Sequence, residues 1–509
     1  MSAWTVTIDL DGPEREGEKR ERIPTFLRIA RAVSDDIKRG RLRAGDLLPG
    51  SRSLATSLGV HRNTVLAAYR ELTAEGWIAC EEARGTFVSM QIPDVAPRRF
   101  ASAAAAPRAI APRVGFDLGP ARIGPVPRPV PLPVPKSARL EGPMSLGGGV
   151  PDVRLAPAAE IARAMRRVLK RNLLEVLSYG DPAGPLPLRT ALADMVAHTR
   201  GMLARPDNVL VTRGSQMGID LVARTLVSPG DVIAIEALGY RPAWEAFRAA
   251  GAQLVPIPVD AHGIDVEALE KLAIETRARL RGVYVTPHHQ FPTTVTLAPA
   301  RRLRLLDVAR ERRLFVLEDD YDHEFHYEGR PVQPLASADV NGVVVYVGTL
   351  SKVLAPGMRL GFVVAPEPLA QRLGAMRRVV DRQGDQLLEH AVAEMLEEGA
   401  IQRHIRRAKR IYTERRERLA VLLEKTFGDA LSFRRPAGGT AIWARVAPEL
   451  SADVWSANAE KAGLVLQAAR QFAIDGKSRP FFRLGFAQHD EREVKEAIRR
   501  MQSSMPRGK

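Results

Sequence analysis

Val343-Val344-Val345-Tyr346-Val347-Gly348-Thr349-Leu350-Ser351-Lys352 is the stretch from which the larger part of this chain is read. Its apolar run shows no alternation, so it describes a strand buried on both faces, as in a mainly parallel sheet. The strand ends on a lysine flanked by hydroxyls, and Arg359 follows inside Pro356-Gly357-Met358-Arg359-Leu360-Gly361. A lysine in that position suits covalent chemistry with a carbonyl, and an arginine and hydroxyls beside it suit an anion.

Similar runs lie on either side: Asn208 to Thr212, Val232 to Ile235, Gln253 to Ile257, Gly282 to Val285, Leu314 to Leu317 and Gly361 to Val364. Helical patterns separate most of them, which predicts an α/β architecture with a mainly parallel sheet. The polar residues of interest fall at strand ends. Gly214-Ser215-Gln216 follows a strand and opens a helix, whose N–H groups and dipole make a phosphate cradle. Asp319 ends the strand at Leu317, where a carboxylate can hold a pyridine nitrogen protonated, and Tyr321 can meet a ring hydroxyl. Tyr240 is placed to stack on that ring. Thr349, Ser351 and Arg359 are placed for phosphate. Arg483, in Arg479-Pro480-Phe481-Phe482-Arg483-Leu484-Gly485, is placed to grip a carboxylate in two-pronged fashion. Together these predict pyridoxal 5'-phosphate (PLP) as cofactor, in a Schiff base with Lys352.

The amino-terminal part has a different character. Residues 22–70 hold ten Lys/Arg against three Asp/Glu, and the whole chain carries +16. Such an excess suits a polyanionic partner. Ile29, Val33 and Ile37 recur at helical spacing. Ser51 to Leu58 forms a short helix, Gly59-Val60 a tight turn, and a second helix with Val65, Ala68, Tyr69 and Leu72 inward begins near Arg62. This is a helix-turn-helix, and Trp77 to Cys80 with Gly85 to Ser89 makes a two-stranded wing. Double-stranded DNA is the expected partner.

Between the parts, residues 91–143 hold 12 prolines. The run Pro125 to Pro135 favours polyproline II and reaches about 34 Å as a semi-rigid spacer. At 509 residues the chain has room for about two to four domains. We delimit a DNA-binding domain at 22–90, a basic linker at 91–143 and a PLP and effector domain at 144–509. A single cysteine, Cys80, rules out an intramolecular disulfide. There is no leader-like start and no apolar run of the roughly 18 residues a membrane helix needs. A cytoplasmic protein without membrane contact is expected.

Leu48-Pro49-Gly50-Ser51-Arg52-Ser53-Leu54-Ala55, Val60-His61-Arg62-Asn63-Thr64-Val65, Tyr69-Arg70-Glu71-Leu72 and Glu75-Gly76-Trp77 resemble the GntR-type winged helix. The ordered strand-end set resembles fold-type I aminotransferases, and the combination resembles the MocR/GabR family of transcription regulators. That resemblance implies a PLP-dependent DNA-binding regulator, an external amino compound or PLP itself as effector, and a head-to-tail homodimer reading two DNA half-sites. It implies DNA contacts from Arg52, Arg62, Asn63 and Thr64; Arg84, at the wing tip, is placed to enter the minor groove or touch phosphate. It also implies that Lys352, Asp319, Tyr321, Ser215, Gln216, Ser351 and Arg359 hold PLP, that Tyr179 reaches the neighbouring subunit's phosphate, and that Arg483 binds the effector carboxylate.

Several positions depart from the pattern. His61 stands where a Ser usually caps the recognition helix, Ala83 where a wing glycine is usual, and Leu238 where a proline is usual near Tyr240. Thr294 replaces a glycine in His289-Gln290-Phe291-Pro292-Thr293-Thr294, and Phe291 replaces the aminotransferase asparagine, which removes one hydrogen bond to the cofactor ring. A working aminotransferase with an appended DNA-binding domain is the alternative function. For the pair His288-His289 the sequence suggests no third metal ligand, so no metal is expected.

Overall fold

The computed structural model describes residues 24–38, 41–81, 85–90, 115, 117, 144–276, 278–329 and 331–506, which form two compact units. The proline-rich segment lies outside the described residues except for Gly115 and Asp117, as does Arg84.

The first unit contains α1 (Thr25–Lys38), α2 (Ser51–Leu58), α3 (Arg62–Glu75) and the antiparallel pair β1 (Ile78–Glu81) and β2 (Gly85–Val88). Ile29, Val33, Leu54, Val65, Leu72 and Trp77 form its buried core. Gly59 ends α2 at φ +62°, a left-handed conformation that glycine adopts without the clash a Cβ brings. Tyr69 donates its hydroxyl to the Pro49 carbonyl at 2.7 Å, pinning α3 to the turn before α2. The cap of α3 differs from what a Ser-to-His exchange predicts. The His61 ring accepts from the Asn63 N–H at 3.2 Å through Nδ1, so an imidazole takes over the role of the hydroxyl.

The second unit is built on a seven-stranded sheet. In chain order its strands are β3 (Val209–Thr212), β4 (Val232–Glu236), β5 (Gln253–Ile257), β6 (Leu280–Val285), β7 (Phe315–Asp320), β8 (Val344–Thr349) and β9 (Gly361–Val364). The spatial order is β3-β9-β8-β7-β6-β4-β5. Within this sheet β9 alone runs antiparallel to its neighbours, β8 and β3. Both faces are covered, with Trp244, Phe247 and Ile219 packed on one side and Leu269, Leu305 and Val308 on the other. A second, antiparallel sheet has the order β10 (Leu431–Phe433), β11 (Ala441–Val446), β13 (Phe481–Gly485) and β12 (Gln467–Ala468). Parallel pairing brings the C-terminal ends of β6, β7 and β8 side by side, because Glu318 pairs with Val285 and Asp320 with Gly348. That alignment makes one site out of residues far apart in sequence.

Candidate cofactor and effector site

Lys352 lies three residues beyond the end of β8 and is half-buried. Its Nζ donates to the Gly149 carbonyl. Burial, and then the Arg483 guanidinium, bring the amine down to about 8. That raises the fraction of neutral, nucleophilic amine near physiological pH.

Asp319, at the end of β7, accepts from the Tyr284 hydroxyl at 2.7 Å through Oδ2. Its Oδ1 is buried without a hydrogen-bond partner among the described residues. Burial pushes this carboxyl up to about 7, against the pull of the Tyr284 hydrogen bond. A cationic N–H brought to Oδ1 would pair it and restore the charged form. Tyr321 donates to the His289 carbonyl at 2.9 Å, which fixes its ring at the wall of the pocket. Burial lifts its hydroxyl well above the usual tyrosine range, with Arg483 opposing the rise.

An anion cradle forms where β3 and β9 meet the helix α4 (Ser215–Leu226). Gly361 packs so closely on Gly214 and Ser215 that a Cβ there would come within 2.6 Å of the Gly214 carbonyl carbon. Arg359 reaches back with Nη2 to the Arg213 carbonyl at 2.9 Å, so its guanidinium lies over the start of α4. Ser351 donates its N–H to the Thr349 hydroxyl at 3.1 Å. Gln216 ties the helix start to the Pro242 carbonyl at 2.8 Å. Tyr240 caps α5 (Arg241–Ala249), and burial, with Asp319 nearby, lifts its hydroxyl to about 12. Its ring meets the Phe291 ring edge-on at 5.7 Å.

Arg483, on β13, is fully buried at 0 % exposure. None of its three nitrogens has a hydrogen-bond partner among the described residues. Its guanidinium lies 4.7 Å from the centre of the Phe291 ring, a cation–π contact, with the Tyr321 hydroxyl close by. A buried cation with unused donors is costly unless an anion joins it, so this geometry suits a carboxylate ligand.

Tyr179 is not brought to this cluster. It is 76 % exposed, with Arg382 over its ring at 4.1 Å. In the first unit, Arg52 on α2 and Arg62 and Asn63 at the start of α3 are exposed, and Thr64 is half-buried. Arg62 also reaches Ser51 Oγ at 3.3 Å, which orients it along the face that α2 and α3 share.

Three features escape a sequence reading. Gly147-Gly148-Gly149 closes over Arg483 and Lys352; a Cβ on Gly148 would stand 1.6 Å from Arg483 Nη1. Three consecutive glycines are a visible signal of close backbone approach, but they do not say to what. Tyr284 lies within an apolar run and reads as core until the strand register aims it at Asp319. Finally, His289 has company beyond His288: His326 Nδ1 lies 3.5 Å from His289 Nε2.

The residues present fit PLP. An amine shifted toward the neutral form, an orphaned carboxylate oxygen and an arginine over a helix N-terminus match an aldehyde, a pyridine nitrogen and a phosphate respectively. The fold and site together define a fusion of a winged helix with a PLP-dependent, aminotransferase-type domain. Residues 25–88 match the family of bacterial regulatory proteins of gntR type, and residues 142–501 match aminotransferase class I and II. Among curated proteins, the probable rhizopine catabolism regulatory protein MocR of Rhizobium meliloti is 31% identical over 95% of this chain and 94% of its own. The pyridoxine biosynthesis transcriptional regulator PdxR of Corynebacterium glutamicum is 29% identical over 80% of this chain and 79% of its own. Among solved structures, the α-aminoadipate aminotransferase LysN of Thermus thermophilus, complexed with N-(5'-phosphopyridoxyl)-L-leucine, is 31% identical with a TM-score of 0.66, over 72% of this chain and 92% of its own. The chain belongs to the MocR family, the transcription regulators that join a GntR-type DNA-binding domain to a PLP-dependent aminotransferase-type domain. Among the described residues, no helix is long and apolar enough to cross a membrane.

Proposed function

We propose that this regulator senses an amino compound carrying an acid group, read jointly by Lys352 and Arg483, and that its occupancy sets DNA affinity. The buried guanidinium of Arg483, whose nitrogens lack a well-formed hydrogen bond among the described residues, carries this reading, because it supplies a carboxylate site close to the amine of Lys352. Bound PLP supplies an aldehyde that condenses with primary amines and a ring that withdraws electrons. In this reading Asp319 holds the pyridine nitrogen, Tyr321 and Tyr240 border the ring, and Ser215, Gln216, Thr349, Ser351 and Arg359 hold the phosphate. Tyr179 reaches the phosphate of a second copy in a head-to-tail homodimer. Arg52, Arg62, Asn63, Thr64 and Arg84 face the DNA, and two copies read two half-sites in the cytoplasm. The curated names of the relatives point to different compounds, so they do not select the effector.

Phe291 favours regulation over turnover. It fills with an apolar ring the position from which an asparagine would bond the cofactor, and it packs against Tyr240, Tyr321 and Phe472. The test is the visible spectrum of the PLP-loaded protein during titration with a panel of amino acids, paired with a gel shift on its own upstream DNA. One acidic amino compound should perturb the cofactor band and change DNA affinity over the same concentration range. Robust multiple turnover with amino donors and keto acids would replace this reading with the aminotransferase one. A band that no amino acid perturbs, with DNA binding that still follows PLP, would make PLP itself the signal.

A further inference from the structure

We propose that His288, His289 and His326 form a binding site for a divalent transition metal of zinc type, beside the cofactor pocket. The two elements involved come together by register. His288 and His289 follow β6, His326 follows β7, and the parallel pairing of Val285 with Glu318 brings the two following segments together. All three imidazoles are buried, and they offer ligand nitrogens that lie within 4.8 Å of one another.

The orientation is that of a metal site. His289 Nδ1 is 2.8 Å from Asp322 Oδ1, which fixes the tautomer and leaves Nε2 as a lone-pair donor. A carboxylate behind a ligating histidine is the usual outer support of a zinc site. Nε2 of His289 and Nδ1 of His326 are 3.5 Å apart. With metal–nitrogen bonds of about 2.0–2.1 Å, a tetrahedral edge is about 3.4 Å. His288 is buried, yet among the described residues neither of its ring nitrogens has a hydrogen-bond partner. An imidazole in that condition has given up water for nothing, unless a cation takes its lone pair. Gly438 makes room: a Cβ there would stand 2.1 Å from His289 Nε2, and its backbone bridges to that of His326. A water would complete the fourth position, as in zinc sites with three protein ligands.

A set of imidazoles without thiolate selects zinc, cobalt, nickel or copper over magnesium or calcium. The consequence for the pocket is direct. His289 accepts the Tyr321 hydroxyl on its carbonyl, and its chain continues through Gln290 to the Phe291 ring under Arg483. A bound metal would tie together the two segments that line the effector pocket.

The experiment uses the full-length, untagged protein, stripped with chelator, reloaded with zinc chloride or cobalt chloride alone, and dialysed exhaustively. Metal analysis should find about one retained equivalent per chain, and cobalt should give the intense d–d absorption of a four-coordinate site. His288→Ala and His326→Gln should each weaken retention at least about tenfold, and Asp322→Asn on the order of 10–100-fold. Circular dichroism reports whether each variant folds, and the wild-type cobalt spectrum decides the matter if one does not. Equal retention by wild type and folded variants, or a weak octahedral cobalt spectrum, would overturn the site and leave a hydrogen-bonded histidine cluster. None of these readouts uses the effector or DNA, so this inference and the regulatory reading can fail separately.

Discussion

Lys352 shows how one side chain's surroundings set its chemistry. An amine at about 8 is about one-tenth neutral at pH 7, whereas an ordinary lysine is neutral in well under about a thousandth of molecules. The rate of PLP capture should therefore climb with pH through about 8 and level off above it, as followed by stopped-flow absorbance. Arg483 is a neighbouring cation that disfavours a charged amine, so Arg483→Met removes that push and should move the midpoint upward. An unmoved midpoint would leave burial alone as the cause. Thr294 illustrates strain at the same scale. It holds φ at +64°, where a β-branched residue is strained by about 1–3 kcal/mol. Glycine there loses about 0.5–1 kcal/mol more chain entropy on folding. Thr294→Gly should thus stabilise the protein by about 1 kcal/mol, read as a higher denaturant midpoint at unchanged slope. An unchanged or lower midpoint would mean that contacts of the threonine side chain outweigh the strain.

At the scale of elements, the strands were the most legible part. Strands buried on both faces are written as unbroken Val/Ile runs, and all seven of the large sheet appear in the chain as apolar runs. The direction of β9 was not legible, because Gly361-Phe362-Val363-Val364 looks the same whether it pairs parallel or antiparallel. The strand-end residues Asp319, Thr349 and Lys352 were legible because polar groups interrupt apolar runs there. Tyr284 and the pairing of His289 with His326 were not, since both depend on register between strands. The Gly147–Gly149 segment was visible without its purpose. Its purpose leads to a prediction. Gly148→Ala puts a methyl group where Arg483 Nη1 now lies, so the guanidinium must move or the segment must lift. Acidic amino compounds should bind at least about tenfold more weakly, roughly 1.4 kcal/mol. PLP binding, which rests on Lys352, Asp319 and the α4 cradle, should change far less. Isothermal titration with and without PLP separates the two, and equal losses in both would mean that the whole segment had collapsed.

The whole molecule poses the question of how many chains make one site. Tyr179 is a large aromatic, 76 % exposed, on a segment that the family resemblance assigns to a neighbour's phosphate. In a symmetric dimer each site then takes Lys352 from one chain and Tyr179 from the other. Tyr179→Ala alone should weaken PLP binding at both sites, and Lys352→Ala alone should abolish covalent attachment at both. Subunit exchange between the two variants creates a mixed dimer. One of its sites carries both changes, and the other carries neither. Mixing should therefore restore tight PLP binding and its absorbance band to a level that neither variant reaches alone. If each site were built from a single chain, no mixed dimer would contain an intact one, and mixing would give only the average of the two parents. The DNA side adds an independent check on the same assembly. Two recognition helices per dimer release more counterions than one, so affinity for a two-half-site operator should fall more steeply with salt than affinity for a single half-site. Restored PLP binding on mixing, together with the steeper salt slope, would establish that the cofactor site and the DNA-reading unit share one dimer.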